Sequence, residues 1–109
     1  MVTTTTATRS QSTTHEELYQ DRLDLAWQIA AARWTPAGRW TLPPMGPFRR
    51  ELLRQHGILI PSQSDPARHY AVTPHACTCP DATRGIAAHK LAGWCKHRIA
   101  LWLVGQGYA

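Results

Sequence analysis

No stretch of this 109-residue chain stays apolar for the roughly 18 residues that a membrane-spanning helix needs. The opening segment MVTTTTATRSQSTTHEE likewise has no apolar core of the kind a secretory signal carries. Cysteine is scarce and odd in number, with Cys77, Cys79 and Cys95 the complete set. A disulfide framework would leave one thiol over. The expected setting is therefore a reducing cytoplasm, or the nucleus of a eukaryote, with the thiols free or bound to metal. Paired carboxylates, a nucleophile next to a base and a phosphate-cradling glycine loop are all missing, so no enzyme and no small-molecule substrate are expected. No internal repeat is present.

Acidic side chains are also few, 7 against 12 basic ones, and their shortage is local. Up to Met45 four basic and four acidic residues cancel. From Gly46 onward Arg49, Arg50, Arg54, Arg68, Arg84, Lys90, Lys96 and Arg98 face only Glu51, Asp65 and Asp81. The whole net charge of +5 thus sits in the half that holds the cysteines, which suits a polyanionic partner or a solvated surface alike. A hydrophobic content of 43% with five tryptophans argues for a folded chain. At this length only about two thirds of the unfolded surface is buried, so a metal staple would help the fold.

Residues 1–13 are low-complexity Thr, Ser and Gln, read as a disordered tail. A helical region with a Pro-rich loop is expected over 14–57. Thr14 and Glu17 have capping-box spacing, and Tyr19, Leu23, Trp27, Ala30 and Trp34 recur as one apolar stripe. Leu18, Leu25 and Ile29 lie beside or across from it, so two covered faces are open to the helix. The stripe is expected to pack on its own domain, the competing reading being a partner-binding face. Four prolines in residues 35–47 end the helix, and FRRELLRQHG suggests a second, short one whose Arg49, Arg50 and Arg54 are either solvated or set for phosphate. Short strands are expected at Gly57–Ile60 and Arg68–Thr73, joined by a turn at SQSDPA.

The chemistry is concentrated in ACTCPDATRGIAAHKLAGWCKHRIA, residues 76–100. Cys77 and Cys79 are two apart, so in extended backbone both thiols face one side. Cys95 and His97 are also two apart, which on a regular helix would separate them by roughly 200°. They converge only if Cys95 lies in the turn before the helix and His97 in its first turn, with Gly93 supplying the backbone freedom. Three thiolates and an imidazole form a closed tetrahedral set suited to structural Zn²⁺. Its formal charge of −1 leaves two readings of Lys96 and Arg98: they offset that charge, or they mark a nearby anion. His75 and His89 fall outside the set and are expected to be exposed, whereas His15, His56 and His69 belong to no constellation. Trp102, in an apolar run that nearly encircles its helix, is expected in the core, and Trp40 and Trp94 on the surface.

The spacing CxC, fifteen residues, CxH resembles the SWIM zinc finger, and YAVTPHACTCPD and WCKHRIALWL resemble the flanks of its two ligand pairs. The match covers roughly residues 68–104. It departs from the family in its long middle segment and in Ala82, where many members carry an aromatic; Trp94 is the candidate to fill that space. The resemblance implies an α+β fold, a ββα-like unit over 58–109 with zinc held by Cys77, Cys79, Cys95 and His97, packed against an N-terminal amphipathic helix. It further implies DNA binding or protein interaction rather than catalysis. The expected function is nucleic-acid binding with weak sequence preference, with Arg84, Lys90, Lys96 and Arg98 as candidate contacts. The alternative is an adaptor that presents its aromatic N-terminal helix to a protein partner.

Overall fold

The structure, a computed structural model, describes residues 14–41 and 57–109. The tail at 1–13, the latter part of the Pro-rich stretch and the arginine-rich helix expected from Phe48 lie outside the described residues. Among the described residues no helix is long and apolar enough to cross a membrane.

Helix α1 spans His15–Ala32. It starts where the capping signal places it: the Thr14 hydroxyl accepts from the Glu17 N–H at 3.2 Å, with Glu16 and Glu17 in the first turn against the positive end of the helix. It stops at Thr35-Pro36, where the Thr35 hydroxyl donates to the Ala32 carbonyl at 2.8 Å. The buried face, however, is not the expected stripe. Leu18, Ala26 and Ile29 are buried, each one residue ahead of Tyr19, Trp27 and Ala30. Of the expected stripe only Ala30 is fully buried, Leu23 is half-buried, and Trp27 and Trp34 are 42% and 76% exposed. The reason is steric: α1 packs on another helix, Ala26 and Ala30 on it and Ala100 on its neighbour are all fully buried, and small residues let two helices approach where indoles would hold them apart.

Strands β1 (Ile58–Pro61) and β2 (His69–Val72) form an antiparallel pair, with Ile58 opposite Val72 and Ile60 opposite Tyr70. Ser62 closes the loop between them, its N–H donating to Arg68 O at 2.8 Å and its hydroxyl accepting from Asp65 N–H. Gly57 enters β1 with φ +71°, and a Cβ there would sit 1.9 Å from Val72 O, so only glycine fits. Single bridges extend the sheet on both sides, Thr41 to Leu59 and Cys77 to Val72.

Two short helices follow, α2 (Pro80–Thr83) and α3 (Ile86–Lys90), and the chain ends in α4 (Lys96–Gly105). The long middle segment is thus folded into two short helices. Helix α4 packs on α1 and touches β2, its Ile99, Ala100 and Leu103 joining Ile60, Val72, Ile29 and Leu91 in one core. Three tryptophan expectations fail. Trp102 is on the outward side of α4, 43% exposed and stacked near Tyr108, because the inward side is already filled by Ile99, Ala100 and Leu103. Trp40 and Trp94 are instead packed against the core. The result is a small α+β fold.

Candidate metal centre

Each ligand candidate sits where the chain changes direction. After β2 a tight turn forms, Thr73 N–H donating to Ala76 O and the Thr73 hydroxyl accepting from the His75 and Ala76 amides, which lays Cys77 back against Val72. Cys79 then caps α2, with Pro80 in the helix's first turn. On the other side, Ala92 and Gly93 take left-handed conformations, φ 52° and 81°. That reversal delivers Cys95 in extended backbone (φ −80°, ψ 171°) as the N-cap of α4, with His97 in the first turn. The geometric demand read from the CxH spacing is met.

The ligand atoms of Cys77, Cys79, Cys95 and His97 all lie within 4.8 Å of one another. Each residue is at most 5% exposed, and all three cysteines are free thiols. Cys95 Sγ is 3.9 Å from His97 Nδ1, close to the about 3.5–3.8 Å edge of a tetrahedral zinc shell. His97 Nε2 is buried with no hydrogen-bond partner, while its ring packs 5.0 Å from Tyr70. Two sulfurs accept backbone N–H groups, Cys77 from Cys79 and Cys79 from Ala82, both at 3.4 Å. Cys95 makes no regular cap hydrogen bond, yet the Arg98 N–H still favours its thiolate. Amides aimed at sulfur are what metal-bound thiolates require around them.

The three thiols cannot all ionise together. Contact with Cys79, then with Cys95, pushes the Cys77 thiol far above its ordinary value. Donation from Cys77, then Cys95, holds Cys79 well below. Contact with Cys77 draws Cys95 down, but contact with Cys79 and burial outweigh it and leave it raised from 9.0 to about 11. Of the three, Cys79 is the thiol favoured to ionise, and Cys77 and Cys95 are held toward the protonated form. A divalent cation would favour the thiolates and displace protons. The Cys3His group is positioned to bind a metal, consistent with a zinc finger, and with all four positions supplied by protein.

The four candidate nucleic-acid contacts differ in exposure. Arg84 and Lys90 are exposed, Lys96 is half-buried, and Arg98 is buried at 7% exposure with its guanidinium turned inward. Its terminal nitrogens donate to the carbonyls of Ala92 and Pro74. The guanidinium lies 4.1 Å from the centroid of the Trp94 ring, four residues earlier in the chain. His75 and His89 are exposed, as expected. Asp81, two residues after Cys79, pairs with Arg22 of α1. Comparison with protein-family models, with curated proteins and with solved structures found no match to this chain.

Proposed function

We propose that this chain is a SWIM-type zinc module whose metal is structural and which acts by binding nucleic acid, DNA in the first instance, with little sequence preference. The observation that carries the zinc reading is the closed, buried Cys3His group, whose soft thiolate-rich donor set suits Zn²⁺. Zinc bound there would crosslink the turn before α2 to the start of α4, and its filled shell leaves no position for a substrate, so no catalytic role is assigned. The nucleic-acid reading is supported by the charge of +5, by its confinement to the cysteine-bearing half and by exposed Arg84 and Lys90 beside the site. A reducing cytoplasm is the compartment this chemistry needs.

A specific observation favours a second reading. Trp27 on α1 and Trp34 just past its end stand outside the core, which is the surface a protein adaptor would present. One experiment separates the two. Zinc-loaded protein is titrated onto labelled single- and double-stranded DNA at low and near-physiological salt, beside a Cys77→Ser variant and an Arg84→Glu/Lys90→Glu variant. Salt-sensitive binding lost in both variants supports the nucleic-acid reading. No binding at low salt, by a folded chain holding one zinc, discards it in favour of the adaptor.

A further inference from the structure

Arg98 is 7% exposed, and none of its partners is a carboxylate. One terminal nitrogen donates to Ala92 O at 3.3 Å, the other to Pro74 O at 2.8 Å, and Nε is buried with no partner. The guanidinium plane is closed off by the Trp94 ring. A cation buried among neutral acceptors is costly and is normally given an anion. Arg98 directly follows the ligand His97 in sequence, and three thiolates around a divalent ion would sum to −1, which one arginine would cancel.

The two acceptors are placed alike. Pro74 lies three residues before Cys77, the first ligand of the CxC pair, and Ala92 lies three residues before Cys95, the first ligand of the CxH pair. Ala92 is the one described non-glycine residue in the left-handed region, φ 52°, a conformation that is strained for a side chain and persists where its surroundings enforce it. Its carbonyl is held by Arg98, and beside it Gly93 N–H is tied to Ala87 O at 2.7 Å. Gly93 also leaves the space: a Cβ there would stand 3.3 Å from the Arg98 guanidinium.

We propose that Arg98 is a positioning residue of the metal centre: its guanidinium ties the approach to Cys77 to the approach to Cys95, and its charge offsets the net negative charge of the loaded site. The proposal rests on the metal-binding reading above.

The test compares Arg98→Met, Arg98→Lys and a packing control, Ile99→Ala, in the full-length chain. Zinc affinity is measured by competition with a chromophoric chelator at low and high salt, and coordination by the visible spectrum of the cobalt-substituted protein. Arg98→Met is expected to weaken zinc about 10–100-fold, as loss of a group that orients ligands typically does. Arg98→Lys, with charge kept and the two-pronged tie lost, should fall between it and the parent. The loss should persist at high salt, because the charge is buried and little screened. Should Arg98→Met fail to fold, Arg98→Lys alone decides: affinity and cobalt spectrum equal to the parent's overturn the proposal. So does a loss in Arg98→Met no greater than in Ile99→Ala. If the parent chain binds neither zinc nor cobalt, the metal reading itself fails first, and that outcome is separable because it appears before any variant is made.

Discussion

Arg22 and Asp81, 59 residues apart, form a two-point ion pair: Nε reaches Oδ2 at 3.2 Å and a terminal nitrogen reaches Oδ1 at 3.0 Å. Asp81 also accepts the Ala87 N–H at 3.3 Å, so one carboxylate joins α1, α2 and the start of α3. It stands two residues after Cys79 and so binds α1 to the metal-bearing turn. With side chains 15% and 31% exposed, the pair is wet enough to escape the full burial penalty. Arg22→Met is expected to destabilise the fold by about 1 kcal/mol, and Asp81→Ala by about 2, since it removes a helix contact as well. A double-mutant cycle on denaturant midpoints checks this. A coupling energy indistinguishable from zero would mean that the pair is ornamental.

Metal removal should do more than lower the midpoint. Cys77, Cys79 and Cys95 belong to the same buried cluster as Val72, Leu91 and Ile99, so a bound ion would be the common partner of three of the core's members. Structural zinc contributes on the order of 10 kcal/mol of apparent binding free energy to a small domain, about as much as the whole stability of such a fold. Treatment with a strong chelator is expected to abolish near-ultraviolet dichroism and cooperative melting, and returning zinc should restore both. An unchanged melting transition after the ion has left would remove the structural role.

Metal affinity should depend on pH with a definite sign. Mutual contact and burial hold the Cys77 and Cys95 thiols above their ordinary value, Cys95 at about 11, while Cys79 is lowered. Binding must expel both protons, so lowering the pH opposes binding. Affinity should fall by roughly 100-fold per pH unit below neutrality, the slope for two protons per ion. Calorimetry in buffers of different ionisation enthalpy counts those protons directly. Release of none would mean that the thiols are not the ligands.

The site was legible in the sequence because its information is local. CxC and CxH fix two ligand pairs within three residues each, and the one geometric demand, Cys95 before the helix and His97 in its first turn, could be stated from helix periodicity alone. The strands were legible for a similar reason, since Gly57, Pro61 and Pro74 mark their ends. Arg98 was not. Nothing in CKHR distinguishes an exposed arginine from one bound to carbonyls that arrive from Pro74 and Ala92, because those acceptors come near only once both ligand loops are folded. Arg22 with Asp81 is illegible for the same reason.

The face of α1 misled for a different physical reason, and it supplies the last prediction. Ranking positions by hydrophobic size selects Trp27 and Trp34, whereas close helix packing selects small residues, and Ala26, Ala30 and Ala100 are the ones fully buried. Trp34, 76% exposed with Arg33 over its ring, should therefore be replaceable by alanine within about 0.5 kcal/mol. Ala26→Leu, which looks conservative on any hydrophobicity scale, should cost about 1–3 kcal/mol by forcing α1 away from α4. Urea midpoints of the two variants test the assignment together. If Trp34→Ala were the more damaging, the aromatic stripe and not the alanine seam would be the face that α1 buries.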